Sequence, residues 1–291
     1  MKPWINFVGH FLFLVMISCG QTPQKESVSK EKPKTKPVEK AASIQKQPLS
    51  IGETVTFHSE ILNEERTLNV YLPHGYHPDS LQNYPVIYLL DGSLDEDLHH
   101  ISGLVQYASF SWINKVPPSI VVGIANVDRK RDFTFPTTVE ADQKAYPTTG
   151  GSAHFIRFLE NEVQPLIEKN YKATSPRTLI GQSLGGLLAC EILFKKPHLF
   201  DRYIIISPSL WWDNESLLSI APAPLEAEKE IYIGVGREGD SMIRPARALY
   251  NLYQKGFSNA KAEFTFFENN NHADIMHLAV YEALMGKTNE Q

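Results

Sequence analysis

Residues 177–194 read Arg-Thr-Leu-Ile-Gly-Gln-Ser-Leu-Gly-Gly-Leu-Leu-Ala-Cys-Glu-Ile-Leu-Phe, and within them Gly181-Gln182-Ser183-Leu184-Gly185 fits the pattern Gly-x-Ser-x-Gly. Small residues recur around serines by chance, so the flanks decide what the pentapeptide means. Arg177 to Ile180 is a short run with β-branched residues, suited to a buried strand. Leu184 to Phe194 is an apolar helix that stops near Lys196-Pro197. A strand, a sharp turn and a helix are the context in which such a serine is presented above a sheet. Gly181 and Gly185 let strand and helix approach without a Cβ clash. Placed this way, the Leu184 N–H points to where an oxyanion would form beside Ser183.

A serine hydroxyl attacks poorly until a base takes its proton, and the base needs an acid to fix its tautomer. The chain supplies both groups downstream, in the order Ser, acid, His. The strand Glu230 to Val235 exits into Gly236-Arg237-Glu238-Gly239-Asp240, and the strand Ala262 to Phe267 exits into Glu268-Asn269-Asn270-Asn271-His272. His272 stands just beyond a strand in a polar loop, whereas His277 falls in the apolar terminal helix and His198 precedes the strand after Ser183. Glu238 is the preferred acid because Gly236 and Gly239 shape a turn around it; Asp240 is the alternative, and is also placed to cap the following helix. Upstream, Tyr84 to Leu90 is a nearly continuous apolar run, fit for a strand buried on both faces. It ends in Asp91-Gly92-Ser93. The N–H of Ser93 or of Gly92 is the expected second oxyanion donor.

Around these groups the remaining segments alternate between strand and helix. Glu53 to Leu62 and Thr67 to Leu72 read as an antiparallel hairpin at a sheet edge, and Ser119 to Ala125 as another buried strand. Helices are expected over Glu96 to Trp112 and over Ser152 to Tyr171, with Pro165 a candidate kink in the second. His99 and His100 are adjacent on a helix, about a hundred degrees apart, and so cannot chelate one metal together. Asn126 to Gly151 is long for a connection and leaves a strand on the same side as Ser183, which points to a substrate-facing rim. In it, Arg129 and Arg131 are candidates to bind an anionic group, with an Arg131–Asp132 ion pair pinning the loop as the competing role. Trp211 and Trp212, just past the strand Tyr203 to Ile206, either wall a substrate pocket or pack in the core.

Taken together, Tyr-Pro-Val-Ile-Tyr-Leu-Leu-Asp-Gly, Asp-Arg-Lys-Arg-Asp-Phe-Thr, Gly-Gln-Ser-Leu-Gly-Gly, Ile-Ser-Pro-Ser-Leu-Trp-Trp and the late Asn-His resemble the putative esterase family, the group containing esterase D and ferric enterobactin-type siderophore esterases. The resemblance covers about residues 50 to 288. It implies an α/β-hydrolase fold, with a mostly parallel sheet of about eight strands, helices on both faces and an antiparallel N-terminal edge. It also implies cofactor-free hydrolysis of carboxylic esters, with Ser183 as nucleophile, His272 as base and an acid between Gly236 and Asp240. Phe135 departs from the family pattern, which often has proline directly after the threonine. The family spans siderophore lactones, thioesters and acylated sugars, so the small-molecule ester stays open. An acyltransferase and a non-catalytic ligand-binding lipoprotein are the alternative functions.

The chain has 291 residues, a formal net charge of -5 and 42% hydrophobic residues, which suits one sizeable globular domain. A mildly acidic balance gives no electrostatic basis for binding nucleic acid, and no feature names a protein partner. At the N-terminus, Lys2 and the apolar stretch Phe11 to Ile17 resemble a secretory signal, and Met16-Ile17-Ser18-Cys19 resembles a bacterial lipobox. The expected organisation is a signal peptide over 1–18, a lipidated Cys19 and disordered tether over 19–48, and a catalytic domain over 49–291. The tether reading rests on its Lys, Gln, Glu, Ser, Thr and Pro content, which buries no apolar surface. The expected location is the bacterial cell envelope, lipid-anchored at the periplasmic face or the cell surface. Cys190, on the apolar face of the helix after Ser183, is then a core thiol without a partner.

Overall fold

The structure is a computed structural model and describes residues 44–286; the signal, lipobox and most of the tether lie outside the described residues. Within these, residues 48–286 form one compact unit. Its eight strands are β1 (Gly52–Ser59), β2 (Glu64–Tyr71), β3 (Tyr84–Leu89), β4 (Ile120–Ile124), β5 (Ala173–Gln182), β6 (Arg202–Ile206), β7 (Lys229–Gly236) and β8 (Ala260–Phe267). They form a single sheet in the order β1-β2-β4-β3-β5-β6-β7-β8. β1 with β2 and β2 with β4 pair antiparallel, and every later pair is parallel. This is the α/β-hydrolase arrangement expected from the sequence, with its antiparallel edge at the N-terminus.

The central strands β3, β4 and β6 are buried along nearly their whole length because both faces of a parallel sheet are covered by helices. The two-residue period then sorts neighbours onto opposite faces. Ile204 and Ile206 pack with Ile101, Val105, Ile275 and Ala279 of the helices Leu98–Ser109 and Ile275–Met285. Tyr203 and Ile205 face the other way, toward Leu187, Phe155 and Tyr253 from the helices Leu184–Lys195, Ser152–Phe158 and Asp240–Gly256. Cys190 is fully buried in this second layer, and burial pushes its thiol pKa up. Around Pro165 the expected kink takes the form of a π-turn, Leu159–Val163, between the α-helical stretches Ser152–Phe158 and Gln164–Asn170. Proline has no N–H to give the carbonyl four residues back, and the wider turn accommodates that gap.

Asn126 to Gly151 contains two short helices, Arg129–Phe133 and Glu140–Ala145. It is fixed by a buried ion network. The Arg66 guanidinium, 1% exposed, lies 5.2 Å from the Phe155 ring and 5.3 Å from that of Phe158, and reaches Asp132 at 2.8 Å and Glu64 at 2.9 Å. Phe135, at the family-divergent position, is buried with its carbonyl accepting the Trp212 indole N–H at 2.8 Å. Asp213 adds a second tie, accepting from the Thr138 N–H at 2.6 Å and from the Thr137 and Thr138 hydroxyls at 3.2 and 2.7 Å. The rim is thus packed against the loop that follows β6, which places Trp211 above the sheet.

Candidate active site

β5 delivers Ser183 and the helix Leu184–Lys195 leaves from it. The turn is tight enough that a Cβ on Gly181 would sit 2.5 Å from the Gly185 carbonyl oxygen, so glycine is required there. Ser183 itself has φ 60° and ψ -119°, a conformation that costs a non-glycine residue on the order of 1–3 kcal/mol and recurs where function demands it. Its N–H donates to the Ile206 carbonyl at 3.0 Å and its carbonyl accepts from the Leu187 and Ser209 N–H groups, so the strained backbone is held from both neighbouring elements. Ser183 Oγ stands 3.4 Å from Ser209 Oγ.

Ser183, Glu238 and His272 line one open cleft of about 380 Å³ together with Ser209, Trp211 and Met242. Glu238 Oε2 lies 2.5 Å from His272 Nδ1. The other carboxylate oxygen, Oε1, accepts from the Ser207 hydroxyl at 2.5 Å and the Gly236 N–H at 3.0 Å. Burial raises the Glu238 pKa, but the hydrogen bonds from His272, Ser207 and Gly236 outweigh it and hold the carboxyl below its ordinary range. An ionised carboxylate only accepts, so Nδ1 carries a proton, and the neutral tautomer compatible with this contact has its lone pair on Nε2. The Gln182 side-chain amide donates to the His272 carbonyl at 2.6 Å, tying the histidine loop to the residue before Ser183. Asp240, the alternative acid, opens the helix Asp240–Gly256, is 86% exposed and pairs with Arg244 at 3.4 Å. Glu238 alone of the two meets His272.

The structure corrects three expectations for the surroundings. The Gly92 N–H donates to the Ile124 carbonyl at 3.0 Å and the Ser93 N–H to the Glu96 carboxylate at 3.2 Å, so neither amide is available to an oxyanion. The cause is the close approach of the loop to β4: a Cβ on Gly92 would lie 2.3 Å from the Gly123 Cα. Arg131 is no anion ligand, because Nε binds Asp132 at 2.7 Å while Nη1 and Nη2 bind the two Glu64 oxygens at 2.9 and 2.5 Å. Those carboxylates raise its pKa further. Trp212 is 1% exposed and belongs to the core. Trp211 is 38% exposed and walls the cleft.

Arg129 lies differently. Asp91, held at φ 55° where β3 ends, grips it through Nε at 2.6 Å and Nη2 at 3.1 Å, and Nη2 also reaches the Gln182 carbonyl at 3.3 Å. The guanidinium is one-third exposed and anchored against the turn that carries Ser183. Leu184, as the first residue of its helix, has an N–H with no partner four residues back. Ser207 and Ser209 are the groups the sequence reading passed over. The signal available was two hydroxyls flanking a proline, Ser207-Pro208-Ser209, at the exit of the strand next to β5.

The family model described as "Putative esterase" matches residues 59–273. The chain belongs to this esterase family. It is accordingly a carboxylic-ester hydrolase of the serine type. It is 31% identical to the ferri-bacillibactin esterase BesA of Bacillus subtilis, over 76% of this chain and 85% of the relative. Among solved structures it is similar to the BES protein of Bacillus cereus, with TM-score 0.70 and 30% identity over 85% of this chain and 98% of that one. It is also similar to the enterobactin hydrolase IroE in complex with DFP, with TM-score 0.59 and 25% identity over 82% and 97% of the two chains.

Proposed function

We propose that this enzyme hydrolyses the ester bonds of a siderophore by an acyl-enzyme route, with Ser183 as nucleophile, His272 as base and Glu238 as the acid that orients it. The observation that carries the reading is the Glu238 Oε2 to His272 Nδ1 contact at 2.5 Å in the cleft onto which Ser183 opens. Rotation of the Ser183 side chain away from Ser209 lets Oγ give its proton to His272 Nε2 as it attacks the ester carbonyl. The Leu184 N–H and the Arg129 guanidinium receive the negative charge that forms on the carbonyl oxygen. Collapse of the intermediate breaks the ester C–O bond, and the proton on Nε2 passes to the departing alkoxide. Water, deprotonated by the same nitrogen, then releases the acid and restores Ser183. His272 is 46% exposed, so water reaches the nitrogen that activates it.

The siderophore reading draws on the named activity of BesA and on the aromatic face that Trp211 offers the cleft. Its test is a substrate panel of ferric and iron-free trilactone siderophores, acetylated and feruloylated sugars, and simple thioesters. The expected result is a kcat/KM for a ferric trilactone at least about tenfold above every sugar ester and thioester, a discrimination that one extra apolar contact in a pocket supplies. A preference for the sugar esters or thioesters would replace the substrate and leave the chemistry.

The proposed setting is the cell envelope, with a signal peptide over 1–18, lipid on Cys19, a tether to about residue 48 and the catalytic domain beyond it. Two or more acyl chains on one cysteine hold a protein at a bilayer stably, at about 0.8 kcal/mol per buried methylene. The full-length protein is expected in the membrane fraction, and Cys19→Ala is expected to release it; retention of that variant would remove the lipid anchor from the account.

A further inference from the structure

We infer that Ser207 is a positioning residue for the triad acid: its hydroxyl fixes Glu238 so that one carboxylate oxygen, and only that one, is presented to His272. The inference rests on the triad reading above. Ser207 directly follows β6, is fully buried and has φ 42°, a left-handed backbone that glycine adopts freely and serine does not. Its N–H continues the sheet ladder to the Gly234 carbonyl at 2.7 Å, so the residue stays in register with β7 while its side chain turns toward the β7 exit. There Oγ donates to Glu238 Oε1 at 2.5 Å. The direction of that bond follows from chemistry, since the ionised carboxylate has no proton to give.

The remaining geometry divides the labour between the two oxygens. Oε1 takes the Ser207 hydroxyl and the Gly236 N–H at 3.0 Å; Oε2 is left for His272 Nδ1. Gly236 makes room for this, because a Cβ there would stand 2.9 Å from Oε1 and 2.7 Å from the Asn270 carbonyl oxygen. Without the Ser207 hydroxyl, Oε1 keeps a single donor and the glutamate, on a three-bond side chain, gains rotamers that point Oε2 away from His272. A serine in a conformation suited to glycine, spending its hydroxyl on the acid, is the pattern expected of local strain retained for function. At metal centres, outer partners that fix a working side chain contribute roughly 10- to 100-fold in activity. The same range is the expectation here.

The test is a double-mutant cycle on the full-length protein with a short p-nitrophenyl ester, comparing wild type, Ser207→Ala, Glu238→Ala and the double variant, with Asp240→Asn as a control. Ser207→Ala is expected to lower kcat roughly 10- to 100-fold with KM within about twofold, and to have no further effect once Glu238 is alanine. Ser207→Gly is the second variant: it loses the hydroxyl but suits φ 42°, so it is expected to melt no lower than wild type and to be as slow as Ser207→Ala. Equal losses in both backgrounds would overturn the inference by showing that Ser207 acts on packing and not through the acid. So would wild-type kcat in Ser207→Gly. If Glu238→Ala is itself as fast as wild type, or Asp240→Asn alone is inactive, the triad assignment fails and the inference with it; if Glu238→Ala is slow and Ser207→Ala is not, the inference alone fails.

Discussion

Ser183→Ala is expected to lower kcat/KM for ester hydrolysis by roughly 10⁴- to 10⁶-fold, the range for removing the nucleophile of a serine hydrolase. The fold is expected to survive the change. Among the described residues Ser183 Oγ makes one hydrogen-bond contact, with Ser209 Oγ at 3.4 Å, and the backbone of the turn is held by the Ile206 carbonyl and the Leu187 and Ser209 amides, all of which alanine retains. Ser183→Gly extends the argument. At φ 60° and ψ -119° glycine relieves strain that serine carries, so this variant is expected to be inactive yet to melt above Ser183→Ala. Measuring kcat/KM and thermal midpoints for both variants checks it. A Ser183→Ala protein within tenfold of wild type would leave the site without its nucleophile.

The second large effect is expected at Arg129. With the Gly92 and Ser93 amides engaged elsewhere, the guanidinium that Asp91 holds against the Gln182 carbonyl is a cationic donor anchored to the residue before Ser183. Loss of one oxyanion donor costs on the order of 10²- to 10³-fold in kcat. Arg129→Ala is expected to fall in that range with a smaller change in KM, because the charge it meets exists mainly in the transition state. Arg129→Lys is expected to be nearly as slow, since an ammonium cannot copy the two-point grip on Asp91. Asp91→Asn weakens the same grip and should move kcat in the same direction. An Arg129→Ala variant that loses KM alone would make Arg129 a substrate ligand and return the second oxyanion donor to an unassigned group.

The core of the fold was legible because its signals are local. Continuous apolar runs marked β3, β4, β6 and β7, and the position of Ser183, Glu238 and His272 just past strand ends followed from the chain alone. What the sequence did not carry depends on which elements meet. Nothing local shows that Gly92 will be pressed against Gly123 and its amide taken by Ile124, or that Glu96 will fold back on Ser93. Of two adjacent tryptophans, only the packing of the loop after β6 against Phe135 decides that Trp212 is buried and Trp211 faces the cleft. Arg129 and Arg131, two residues apart in one motif, diverge for the same reason: Arg131 meets Glu64 from β2, and Arg129 meets Asp91 from the end of β3. Ser207 was legible in type but not in role, because its partner lies 31 residues on, across a strand pairing that residue identity does not announce.

The most direct test of the central claim, that Ser183 is a nucleophile activated by His272 and Glu238, is to label the native protein with a fluorophosphonate and map the adduct by peptide mass spectrometry. The account predicts one phosphonyl adduct, on the peptide that contains Ser183, absent from Ser183→Ala and formed far more slowly in His272→Ala. No adduct, or an adduct on another residue that persists in Ser183→Ala, would contradict it.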